Sequence, residues 1–118
     1  MKNNERGGVS FPDGFLCSGI ASGIKGAEKK DLSLIYSKLP CVAAGTFTTN
    51  KFKSYSLIWS MKNIKNPIHS VIINSGNANA CNGKENYYRT KEVIEKLAEK
   101  LRIEDKNILF GSTGIIGK

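Results

Sequence analysis

A helix pattern enclosed by two apolar strand runs, each dissolving into small residues, constrains this chain more than any other feature. The first run, Ser70-Val71-Ile72-Ile73-Asn74, is apolar enough to be a central strand. It passes into Asn74-Ser75-Gly76-Asn77-Ala78-Asn79-Ala80-Cys81-Asn82-Gly83, a small-residue segment that predicts a compact loop. A helix is expected over 86–101, where Val93, Ile94, Leu97, Ala98 and Leu101 form one apolar stripe. Glu92–Lys96 is a favourable pair on its other face and Glu95–Glu99 an unfavourable one, so burial of the stripe must hold the helix. The second strand run, 107–110, leads into Gly111-Ser112-Thr113-Gly114-Ile115-Ile116-Gly117, which reads as a glycine-rich turn.

The first half of the chain is less periodic. Glycines and Pro12 near the N-terminus predict an extended arm and a turn at 11–15. Residues 16–24 alternate apolar and small residues, which predicts a strand, with a charged turn at 25–30. Leu32, Leu34 and Tyr36 have the period of a half-buried strand over 31–37, which Pro40 interrupts. Residues 41–49 are small and β-branched and predict another strand, and 50–53 a polar turn. Residues 54–61 are ambiguous between strand and helix, and 63–67 read as a loop. The length of 118 residues allows one domain with one modest core.

Composition removes several classes of function. With 40% hydrophobic and 24% charged residues the chain has ordinary globular composition. No apolar run approaches the ~20 residues of a membrane helix, and no apolar secretion signal opens the sequence. Cys17, Cys41 and Cys81 are too few and too dispersed for a disulfide framework and read as small core thiols in a reducing cytoplasm. His69 has no partner at zinc-ligand spacing and reads as a surface or strand-edge residue, so no metal site and no cofactor are expected. The net charge of +8 comes from fifteen lysines, scattered along the chain, against three arginines. That pattern suits a solvated basic surface, or one that attracts anionic substrates, better than a nucleic-acid reader.

The two small-residue segments are the candidates for chemistry, because strand ends aim backbone at ligands. GSTGIIG lacks the Lys-Ser/Thr pair of a phosphate loop, and its glycine spacing fails the dinucleotide fingerprint. It offers backbone N–H groups beside a hydroxyl, a combination that can stabilise an oxyanion. By pattern alone a structural turn and an oxyanion hole both remain open. The sole histidine and the isolated Asp13, Asp31 and Asp105 assemble no catalytic triad.

The order of segments carries more than any one of them. It runs GFLCSGIASGIK (14–25), DLSLI (31–35), CVAAGTFTTN (41–50), VIINSGNANACNG (71–83) and GSTGIIG (111–117). From about Gly14 to Gly117 this resembles the N-terminal part of the ornithine acetyltransferase family, the bifunctional glutamate N-acetyltransferases of arginine biosynthesis. The resemblance implies an α/β sandwich similar to N-terminal-nucleophile hydrolases, of which 1–118 would be one piece of the alpha chain. It implies a precursor that cleaves itself ahead of a nucleophilic threonine, located beyond Lys118, and a beta chain partnering the alpha chain in an α2β2 heterotetramer. The implied substrates are N-acetylornithine and glutamate, with acetyl-coenzyme A used by some members. Thr113 and Gly114 match the family's oxyanion-hole residues, Thr113 through its hydroxyl and Gly114 through its backbone N–H. The piece alone is expected to be inactive. The competing readings are a non-catalytic binding or assembly module, a basic nucleic-acid binder, and an aminopeptidase-like hydrolase of the same superfamily.

Overall fold

The computed structural model describes residues 8–21, 30–51, 53–77 and 84–115. Strand β1 (Phe15–Ile20) and strand β2 (Leu32–Cys41) come first, then helix α1 (Tyr55–Asn63), strand β3 (Ile68–Asn77), helix α2 (Lys84–Leu101) and strand β4 (Ile108–Ile115). The four strands form one sheet in the order β1-β2-β3-β4. β1 with β2 and β2 with β3 are antiparallel, whereas β3 and β4 are parallel. A parallel neighbour needs a crossover, and α2 supplies it.

The expected turn before β1 forms as Phe15 N–H donates to the Pro12 carbonyl at 3.3 Å, with Gly14 at φ 88°. Pro40 does not end β2. It lies past the last β1 partner, Ser37, and inside an irregularity of the β2–β3 ladder between Tyr36 and Cys41. No ladder bond is demanded of a residue there, so proline is tolerated.

The core lies between the sheet and α2. Ile94 and Ala98 of the predicted stripe pack with Ile72 of β3 and Ile108 and Phe110 of β4, flanked by Leu32, Leu34, Trp59 and Leu97. Val93 leaves the stripe and is exposed. Glu92 and Lys96 pair at 2.9 Å, and this bond holds the Glu92 carboxyl below its ordinary range. The helix ends in paired backbone bonds, Ile103 N–H to Ala98 O at 3.0 Å and Arg102 N–H to Glu99 O at 3.2 Å. Arg102 takes the left-handed φ of 58° that this ending requires.

Further expectations fail. Of the strand expected over 41–49, Cys41 is the end of β2 and 42–49 form no strand. The sheet position beyond β4 is taken by α1, so Ala44 to Phe47 run instead beside Val71, Ile73 and Leu109 on the other face of the sheet. The second failure is more consequential: 111–115 is not a turn but the continuation of β4. Likewise Asn74 to Asn77 belong to β3. The predicted loop 78–83 with Cys81, the charged turn at 25–29, the arm at 1–7 and Ile116–Gly117 lie outside the described residues.

Candidate functional site

The site grows from the parallel pair. Because β3 and β4 run in the same direction, their C-terminal ends finish side by side. Asn74 faces Ser112, Ser75 faces Thr113, Gly76 faces Gly114 and Asn77 faces Ile115. The two segments singled out by sequence are therefore neighbouring strand ends, a juxtaposition that sequence reading treated as two separate turns. Gly76 beside Gly114 leaves that part of the ladder without Cβ atoms, so backbone can be approached closely there.

Helix α1 settles what the other edge of β4 does. Ser60 Oγ donates to the Phe110 carbonyl at 2.7 Å and accepts the Phe110 N–H at 2.9 Å. Trp59 Nε1 donates to the Ile108 carbonyl at 2.8 Å. The carbonyl of Ile108 and both backbone groups of Phe110 thus point away from β3 and towards α1. Strand geometry alternates, so Ser112 and Gly114 direct their N–H and C=O groups to the same side. α1 runs antiparallel to β4, since Ser60 meets Phe110 and Ser56 meets Ser112. Its N-terminus, capped where Ser54 Oγ accepts the Leu57 N–H at 3.2 Å, therefore points along β4 towards the Thr113–Gly114 end.

At that N-terminus, three hydroxyls form a chain. Ser54 Oγ lies 3.0 Å from Ser56 Oγ, which lies 2.8 Å from Ser112 Oγ. Sequence reading missed these serines. The signal was present: Ser56, Ser60 and Asn63 recur at helical spacing and are the buried residues of α1. The helix carries a polar stripe because it covers a strand edge, whose unpaired backbone groups need hydrogen bonds rather than apolar contact.

The arrangement can offer backbone N–H at a strand edge beside the positive end of a short helix, which suits a developing negative charge on oxygen. The other sequence candidates lie elsewhere. His69 sits in the interior strand β3 rather than at a sheet edge, half-buried, with Nδ1 2.9 Å from the Ser37 carbonyl. Cys17 and Cys41 are half-buried, and the Cys41 thiol donates to Ser37 Oγ at 3.2 Å. Among the described residues no cluster of three or more His, Cys, Asp or Glu could hold a metal ion, and no helix is long and apolar enough to cross a membrane.

The same segments that build this site also match known proteins. The model of the ArgJ family matches residues 16–118. The chain belongs to the ArgJ family. It is 47% identical over 104 residues to the arginine biosynthesis bifunctional protein ArgJ 1 of Clostridium acetobutylicum, covering 87% of this chain and 26% of that protein. It is 43% identical over 112 residues to ArgJ of Caldanaerobacter subterraneus, covering 94% and 28%. The chain thus spans about a quarter of the length of these curated relatives.

Solved ArgJ structures share the fold. The crystal structure of ArgJ from Bacillus halodurans matches with a TM-score of 0.88 and 32% identity, covering 98% of this chain and 61% of that one. Ornithine acetyltransferase from Mycobacterium tuberculosis, solved in complex with ornithine, matches with a TM-score of 0.86 and 34% identity, covering 94% and 61%. The α/β architecture expected from the resemblance, a piece of the sandwich similar to N-terminal-nucleophile hydrolases, is the one this chain has.

Proposed function

We propose that residues 1–118 are the N-terminal part of the alpha chain of an ornithine acetyltransferase, and that Thr113 and Gly114 form its oxyanion hole. The reaction is acetyl transfer from N-acetylornithine to glutamate. A threonine outside these residues, at the start of the beta chain, attacks the acetyl carbonyl. The amide C–N bond breaks, ornithine leaves carrying a proton, and the acetyl group rests on the threonine as an ester. The amine of glutamate then takes the acetyl group and frees the hydroxyl. Splitting the transfer in two is what a covalent nucleophile provides. Acetyl-coenzyme A is a second acetyl donor in this reading.

In both steps the carbonyl oxygen gains negative charge, and donors fixed in place before the reaction lower that barrier. The observation that carries the reading is the edge alternation of β4. In this reading the alternation that faces Phe110 towards α1, carried on to Gly114, turns its N–H to the side where α1 presents its N-terminus. The Thr113 hydroxyl is the second donor in this reading. The relatives' arginine-biosynthesis role supports the substrate class, and the Mycobacterium tuberculosis neighbour was solved with ornithine.

The same reading makes this chain one part of a larger body, an α2β2 assembly. Val42 is fully exposed and Leu39 is 74% exposed, which is costly for apolar side chains left in water and ordinary for ones covered by further protein. Without the beta chain's threonine, the piece alone is inactive in this reading. The test is to express the full-length protein, run it on a denaturing gel and assay ornithine release from N-acetylornithine and glutamate. Two bands with ornithine release support the proposal. A single band without transfer favours a non-catalytic module.

A further inference from the structure

The chain of hydroxyls Ser54–Ser56–Ser112 has a burial and a placement that simple packing does not explain. Ser56 is 1% exposed, and a serine that only filled space against β4 would be served as well by alanine. Ser60, one helical turn later, spends its hydroxyl on the backbone of Phe110. Ser56 instead bonds side chain to side chain, at 2.8 Å from Ser112 Oγ and 3.0 Å from Ser54 Oγ. Ser54 in turn accepts the Leu57 N–H. Each hydroxyl has one proton and two lone pairs, so the chain is satisfied in either direction of donation.

We infer that this chain positions the end of β4, tying the strand that carries Thr113 and Gly114 to the first turn of α1. The inference rests on the oxyanion reading above and names the residues that keep the hole in register. Ser112 precedes Gly114 by two residues, about 6.6 Å along a strand. The hydroxyl bond ties α1 to β4 two residues before that point. Without it the strand end loses a tie to α1, and the Gly114 N–H loses its aim at the acyl oxygen. Ser56 and Ser112 touch no reacting atom. They act through Gly114 and are positioning residues.

The test uses the full-length protein and its acetyl-transfer assay. Ser56→Ala, Ser112→Ala, the double variant and Ser112→Thr are compared with Thr113→Ala, with thermal unfolding recorded for each. Misplacing a catalytic group by about an ångström costs up to about 100-fold in rate, so each alanine variant should lose about 10- to 100-fold in kcat with KM little changed. The double variant should lose no more than either single one, because the hydroxyls act as one unit. Ser112→Thr keeps the hydroxyl and should keep the rate. Alanine variants that unfold earlier but turn over normally overturn the positioning role, as do losses that add in the double variant or a Ser112→Thr as slow as Ser112→Ala. If Thr113→Ala is slow while Ser56→Ala and Ser112→Ala are unaffected, the hydroxyl chain fails and the oxyanion reading stands. If Thr113→Ala is unaffected, both fail.

Discussion

The Ser60 side chain replaces a missing neighbour strand for Phe110: one hydroxyl accepts that residue's N–H at 2.9 Å and donates to its carbonyl at 2.7 Å. An edge strand would otherwise present both groups to solvent or to a foreign strand. Ser60→Ala leaves two groups without partners at a residue only 6% exposed. At about 1–3 kcal/mol for each orphaned group, the variant should be among the more destabilising changes of a single oxygen. Denaturant unfolding of the full-length protein measures it, and a midpoint equal to wild type would show that water serves the edge as well.

Core packing at the α2–sheet interface gives a second expectation. Ile94 is fully buried among Ile72, Ala98, Ile108 and Phe110. Ile94→Ala removes three carbons from a fully buried site and should cost about 2–5 kcal/mol. Val93→Ala, on the adjacent exposed position, should cost far less. Similar losses in the two variants would contradict the assigned helix face.

Arg102 offers a change in the opposite direction. It holds φ 58° at the end of α2, where a side chain is strained and glycine is not. Arg102→Gly should stabilise the protein by about 1 kcal/mol, since a left-handed residue with a Cβ costs roughly 1–2 kcal/mol. The Ile103 contact with the core is untouched by the change. A lowered melting temperature would mean that the arginine side chain makes a compensating bond.

What was legible in the sequence was whatever buried apolar side chains against a face. The run Val71-Ile72-Ile73 and the stripe Ile94, Leu97 and Ala98 announced β3 and α2 because both contribute to one core. α1 was ambiguous because its buried residues are Ser56, Ser60 and Asn63, which serve a strand edge and give no apolar period. The end of β4 was misread because the glycines on either side of Ser112-Thr113 leave Gly111-Ser112-Thr113-Gly114 little strand propensity of its own. Its pairing with β3 is a tertiary fact, set by the crossover helix between them. The candidate residues Thr113 and Gly114 came from the resemblance of segments. Their backbone orientation came from the serines of a helix that the sequence had left undecided.

The measurement that bears most directly on the central claim is the turnover of Thr113→Ala beside Thr113→Ser in the full-length protein, with N-acetylornithine and glutamate as substrates. Removing one oxyanion donor costs about 2.7–4 kcal/mol of transition-state stabilisation, so kcat should fall roughly 100- to 1,000-fold in Thr113→Ala. Thr113→Ser retains the hydroxyl and should lose little. If both variants transfer acetyl at the wild-type rate, Thr113 is no oxyanion donor and the account of this site is wrong.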